Sequence, residues 1–327
     1  MTRRAGAADA RVVVLGGGTG ISPCLSGIKP MTDAITAIVT VADDGGSSGR
    51  LRKDYDMQPP GDIRNCLVAL SSVEPVLKDL FSYRFEDSLL RGHAFGNLFL
   101  AVLTRLTGDF RQAIERARSI LNVRGRVLPA TDRRVVLVAE HADGTKSTGE
   151  QRISRSRKPV VRLELRPEPP PVSQEIEQAV TEADLIVLGP GSLLTSIIPN
   201  LLVPGMAAAI SRAPGKVVLV ANLATQPGET DGFDLERHVA ALRELGGLAR
   251  IDVVLVHEGS IPTEAAARYA ATGAELLPAP PAERIAGVPV VRRDVAHLDE
   301  DGKLRHHGPR LAAALREILA GETEVVR

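Results

Sequence analysis

Val12-Val13-Val14-Leu15-Gly16-Gly17-Gly18-Thr19-Gly20, close to the N-terminus, is the stretch on which the reading of the fold turns. Four apolar residues, three of them β-branched, read as a buried strand of a parallel sheet. The strand runs into a glycine cluster, and a helical pattern begins near Ile21. In such a strand–turn–helix, backbone N–H groups at a helix N-terminus can hold a phosphate or diphosphate. A plain βα turn without ligand leaves the same trace. The dinucleotide fingerprint would need glycine where Ile21 stands, and no P-loop Lys-Ser/Thr follows. A nicotinamide-dependent dehydrogenase is therefore disfavoured.

The 327 residues suffice for one large α/β domain or two ordinary ones. Lys+Arg and Asp+Glu each number 40, so no net charge draws the chain to nucleic acid, and a small-molecule ligand is expected. Cys24 and Cys66 are the two cysteines, which argues against a disulfide scaffold or a four-cysteine zinc site and fits a reducing cytoplasm. No signal peptide or membrane span is expected. The chain has no tryptophan, and aromatics make up 3%, so a flavin-like ring sandwich would be hard to build.

A second strand, Ala34 to Val41, emerges into Ala42-Asp43-Asp44-Gly45-Gly46-Ser47-Ser48-Gly49-Arg50, read as a polar loop. Carboxylates, hydroxyls, free N–H groups and a guanidinium together suit a metal-diphosphate or sugar hydroxyls. Two successive strands ending in such loops suggest one crevice at the C-terminal edge of the sheet. In Pro59-Pro60-Gly61-Asp62-Ile63-Arg64-Asn65, Asp62 can N-cap a helix, and Arg64 in its first turn hints at a nearby anion. Gly61 to Leu121 reads as helical, with Gly92-His93-Ala94-Phe95-Gly96-Asn97 opening an apolar helix; His93 is either a satisfied buried histidine or a base.

A β-rich piece, Val127 to Glu164, carries a hairpin signal at Asp143-Gly144, and the prolines of 167–171 make a stiff connector. The βα rhythm resumes with a helix at 173–182 and a strand at 184–188. That strand ends in Gly189-Pro190-Gly191-Ser192, a second anion nest in which Ser192 can N-cap a helix over 193–202. Strand Val217-Val220 leads to a long polar loop, Ala221 to Thr230, and strand Ile251-Val256 to His257-Glu258. A helix from Pro262, a β segment at 288–291 and a last turn and helix over 305–319 complete the chain. The expectation is a Rossmann-like, doubly wound α/β domain over 11–320 with a mainly parallel sheet, a helical insertion at about 61–121 and a small β-rich segment. Residues 1–10 form a disordered tail and 321–327 a solvated one.

Together these loops resemble the YvcK-like family of gluconeogenesis factors, within the superfamily of 2-phospho-L-lactate transferase (CofD). The matching segments are GGGTGIS at Gly16, ITAIVTVADDGGSSGRLR at Ile35, PPGDIRNCL at Pro59, GHAFGNL at Gly92, GPGSLLTSIIPNLL at Gly189 and NLATQPGET at Asn222. The resemblance implies a cytoplasmic bacterial protein that binds a UDP-sugar, typically UDP-N-acetylglucosamine. It implies a role in cell shape and wall synthesis during gluconeogenic growth, through a cell-wall-synthesis partner, without established catalysis. Carried over by position, Gly16, Gly17, Gly18, Thr19, Gly20, Asp43, Asp44, Gly45, Gly46, Ser47 and Ser48 line the nucleotide crevice, with Gly189, Gly191, Ser192 and Asn222 opposite. Tyr269 and Arg305 match UDP-sugar positions. Arg50, Asp62, Asn65, His93 and Asn97 complete the candidate ligand set, and a homo-oligomer, a dimer, is expected. The alternative is a CofD-like phospho-group transfer from a nucleotide diphosphate donor, with Mg²⁺ on Asp43, Asp44 or Asp62 and His93 as base. Arg305-His306-His307-Gly308 lacks the phosphorylated threonine that the family often carries there, and Thr323 is a substitute candidate.

Overall fold

The structure, a computed structural model, describes residues 9–322 except 18 and 88. The order begins β1 (Val12–Gly16), α1 (Ile21–Ile28), β2 (Ile35–Val39), α2 (Gly46–Asp54), α3 (Gly61–Leu70), α4 (Pro75–Ser82), α5 (Phe95–Thr107), α6 (Phe110–Ile120) and β3 (Arg126–Pro129). It continues with β4 (Val136–His141), β5 (Lys146–Thr148), α7 (Glu150–Ser156), β6 (Val160–Arg166), α8 (Gln174–Thr181) and β7 (Leu185–Leu188). A single π-helical turn (Leu193–Ile197) leads to α9 (Ile198–Leu201), α10 (Met206–Arg212), β8 (Lys216–Val220), α11 (Leu235–Glu244), β9 (Val253–His257) and α12 (Thr263–Ala271). β10 (Arg284–Ile285), β11 (Val288–Arg293), β12 (Ala296–Leu298), β13 (Leu304–His306) and α13 (Gly308–Ala320) close the chain.

Eight strands form the central sheet in the order β10-β11-β9-β8-β7-β1-β2-β3, parallel except for the edge pair β10–β11. β1 sits between β2 and β7, with Leu15 level with Ile38 on one side and Leu188 on the other. From β1 the chain winds outward to β2 and β3, then returns to β7 and winds the other way. The β1–β7 junction is thus the topological switch point, where the loops after adjacent strands diverge and leave a crevice. The uninterrupted apolar run of β1 follows from burial on both faces. Val13 and Leu15 join a core beneath β4, β6 and α8 to α11, while Val12 and Val14 join a core with α1, α3, α5, α6 and α13. β5, β4 and β6 form a separate antiparallel sheet, as the hairpin signal at Asp143-Gly144 predicts, and β12–β13 a small hairpin.

Several local expectations are corrected. The segment read as a loop through Arg50 turns helical at Gly46. Its serines are buried and hydrogen-bonded, and Leu51 is buried, so tertiary contacts override a poor helix-forming sequence. Asp62 lies inside α3 rather than capping it; Pro60 holds the N-cap position and makes no side-chain cap. The helix expected over 193–202 starts as the π turn, and Ser192 makes no cap bond there. Arg305 belongs to β13, and the last helix begins at Gly308. Ala10, assigned to the tail, is fully buried. Residues 1–8, Gly18 and Thr323 lie outside the described residues. Among those described, no single helix is long and apolar enough to cross a membrane.

Candidate functional site

Glycine lets the loops after β1 and β7 touch. A Cβ on Gly20 would lie 2.7 Å from the Pro190 carbonyl oxygen and 2.9 Å from Gly191 Cα. One on Gly17 would lie 2.7 Å from an Asp62 carboxylate oxygen and 2.7 Å from Thr40 Cγ2. Gly189, at φ 80°, adopts a conformation that an L side chain rarely takes. The two turns are stapled by Asn200, whose buried amide donates to Gly16 O (3.1 Å) and Ser196 O (2.7 Å).

Over this junction opens a cleft of about 320 Å³. Gly17, Thr19, Gly20, Gly191, Ser192, Asn222, Tyr269 and Arg305 all line it, together with Glu150 and the 223–226 segment. Tyr269 and Arg305 share one anchor, since the Tyr269 hydroxyl donates to Leu304 O (3.2 Å). Arg305 Nε reaches Asp299 at 3.2 Å, which leaves the rest of its guanidinium to the cleft. A neighbouring groove of about 530 Å³ shares Thr19, Pro23, Arg305 and His306 with the cleft and extends it toward the start of α13.

The other polar sequence-derived candidates are not among the residues that line the cleft. Asp43 accepts from Gly45 N (2.7 Å), and Ser48 accepts from Gly61 N (3.1 Å). Asp44 packs against Gly149 and accepts from Gln151 N (3.3 Å). Asn97 donates to the Ser47 hydroxyl (3.1 Å), which leaves that hydroxyl's proton for His93 Nδ1 (3.0 Å). Burial lowers the pKa of His93, which favours its neutral form. Arg50 donates to Arg91 O (2.8 Å). Arg64, the hint of an anion, is buried and reaches Phe81 O in the last turn of α4 (3.4 Å), a helix C-terminus that favours a cation. It also donates to Asn65. Gly16 and Gly46 contribute backbone; Gly46 holds φ 45°.

Sequence reasoning assigned no role to Glu150 or Glu229. Glu229, from the loop after β8, accepts from Ser192 and from Ser154 (2.8 Å), with Thr195 at 3.3 Å. Thr195 Oγ1 also lies 3.3 Å from Glu150 Oε1. Burial raises the pKa of Glu229, and burial together with Asp43, Asp62, Glu229 and Asp44 raises that of Glu150 to about 8. The unusual length of the 221–230 loop was the available signal for Glu229. Nothing local marks Glu150, which opens a short helix after a hairpin. Among the described residues, no group of three or more His, Cys, Asp or Glu side chains is placed to hold a metal ion by itself, so Asp43, Asp44 or Asp62 would hold Mg²⁺ only together with the phosphates of a bound nucleotide.

The family described as 2-phospho-L-lactate transferase CofD matches residues 12–296. The chain is 46% identical over 308 residues to the gluconeogenesis factor of Halalkalibacterium halodurans, covering 94% of this chain and 95% of that one. It is 44% identical over 311 residues to the gluconeogenesis factor of Bacillus subtilis, covering 94% and 98%. The crystal structure of a UPF0052 family member from Bacillus halodurans superposes with a TM-score of 0.89 at 45% identity, covering 94% of this chain and 99% of that one. This chain belongs to the CofD family and, within it, to the YvcK-like gluconeogenesis factors.

Proposed function

We propose that the protein binds a UDP-sugar, UDP-N-acetylglucosamine in the first instance, across the β1–β7 switch point. In this reading it acts as a cytoplasmic regulator of cell shape and wall synthesis during gluconeogenic growth. One observation carries the reading: two glycine turns, Asn222, Tyr269 and Arg305, far apart in sequence, line one cleft. The diphosphate would lie against the turn amides and Arg305, and Tyr269 offers a ring face and Asn222 an amide to base or sugar. Charge-assisted hydrogen bonds of about 1.5–3 kcal/mol each bring such a ligand to roughly micromolar affinity after the cost of association. The relatives' name, gluconeogenesis factor, supports the physiological side. Calorimetry with UDP-N-acetylglucosamine tests it: heat of binding and a raised Tm are expected, and neither at millimolar ligand would reject it.

The matched family is named for a transferase, which keeps the alternative of phospho-group transfer in view. Turnover of a labelled nucleotide diphosphate donor, lost in Asp62→Asn, would favour it over simple binding.

A further inference from the structure

α5 is apolar on every side, yet only one side of it is buried. Gly96, Asn97, Leu100 and Ala101 face the core, while Val102 is 56% and Leu106 77% exposed. Arg105 is the one charge in its sequence, FGNLFLAVLTRLT. A surface helix ordinarily turns charged residues to solvent, and a helix that is apolar all round is a buried one. α4 repeats the pattern. It packs on α5 through Phe81, its buried residue, whose ring lies 5.7 Å from Phe95 and 4.9 Å from Phe99 between centroids. Val76, Leu80 and Tyr83, at the spacing of one helical face, are exposed together with Leu77. At the ordinary surface areas of these residue types, the six exposed side chains leave on the order of 700 Å² in water. That exceeds the few hundred Å² of a typical monomer's largest patch and approaches the share that one partner brings to a stable interface.

The rim of this face says what covers it. Residues 74–91 carry four acidic and three basic side chains, and α5 adds Arg105, so the charges balance. A balanced rim selects neither an acidic nor a basic partner, and it offers no polybasic face to anionic lipid. Lys78, Asp79, Glu86 and Arg105 form no ion pair among the described residues; Arg105 lies over the Tyr55 ring, 5.2 Å from its centroid. A two-fold contact sets a patch against its own copy, which calls for both signs on the same rim. We propose that the α4–α5 face is the interface of a symmetric homodimer, in which a second copy of this chain lays its own α4–α5 pair against it. The inference is independent of the nucleotide-sugar reading, since the face shares no residue with the lining of the cleft.

The experiment is sedimentation velocity of the full chain over a concentration series from about 1 to 100 µM. A dimer is expected. Leu80→Glu and Leu106→Glu should each weaken it by about tenfold or more, because each sets an unpaired charge in the apolar middle of the interface. Both are surface changes in the free chain, so Tm should stay near that of the wild type. Val161→Glu, on β6 and also exposed (54%), should leave the dimer unchanged. Without any substitution, hydroxyl-radical labelling of Leu80, Tyr83 and Leu106 should fall as concentration rises while that of Val161 does not, which decides the matter should a variant misfold. A wild-type chain that stays monomeric throughout the series overturns the proposal; if it then floats with phosphatidylcholine vesicles, the face belongs to lipid instead. A dimer that both variants leave intact, or labelling that falls only elsewhere, overturns it too. Calorimetry with UDP-N-acetylglucosamine is a separate readout: no binding by an intact dimer rejects the nucleotide-sugar reading and leaves this inference standing.

Discussion

Gly17 has no room for a side chain, because the oxygen of Asp62 and the methyl of Thr40 already occupy the space a Cβ would take. Gly17→Ala forces β1's turn away from α3; overpacking of this kind costs about 1–3 kcal/mol. We expect a lower Tm in thermal unfolding and loss of ligand-induced heat, whereas Gly144→Ala, with open space around it but φ 80°, pays only local backbone strain far from the cleft. Arg305→Ala removes the cleft's cation, and the loss of about 1.5–3 kcal/mol should weaken UDP-sugar binding by roughly tenfold or more in calorimetry. Glu150 links stability to pH. Its folded pKa, about 8, stands above the ordinary 4.5, so the folded state keeps a proton that the unfolded chain has released. Its contribution is full below pH 4.5, declines as pH rises through this window and is lost above about 8. Glu150→Gln should therefore shrink the fall in Tm between pH 5 and 8, as read by melting curves at the two values.

At the scale of elements, helices meet where they carry glycines. α1 and α13 cross at Gly27 and Gly308, and a Cβ on Gly308 would lie 2.6 Å from Pro23 O. Gly27→Ala would drive its methyl into the Gly308 backbone and push α13 off the sheet, an expected loss of about 1–3 kcal/mol seen in denaturant unfolding. Since β13 and Arg305 immediately precede α13, ligand affinity should fall with it. The π turn before α9 is held by Asn200, so Asn200→Ala removes its amide's bonds to Ser196 O and to Gly16 O, which keeps the Thr40 N–H (3.1 Å), and should cost about 1–3 kcal/mol. The strands were readable because a parallel strand covered on both faces must be apolar throughout, as β1, β7 and β8 are. α2 was not, because Gly46-Ser47-Ser48-Gly49 has the composition of a loop. Its helicity depends on His93, Asn97 and Gly61, residues contributed by other segments.

For the molecule as a whole, the proposed site would couple ligand to fold. A ligand spanning the β1 and β7 turns and the β13 hairpin would bind only when all three are in place. At a hundred times its Kd it should stabilise the chain by about 2.7 kcal/mol, read as a Tm that rises with ligand concentration. The sequence by itself determined the parallel sheet, the strands' loops and the family, because burial patterns and glycine turns are local and leave local traces. The glycine turns were marked by the sequence pattern itself, whereas Asn222, Tyr269 and Arg305 were marked by the family resemblance. Only the tertiary structure decided which of the polar candidates share a cleft and which, like His93 and Arg64, hydrogen-bond within the fold outside its lining. It alone brought Glu150 to Glu229 and three aspartates, since the charge state of a carboxyl depends on neighbours that folding supplies from distant parts of the chain.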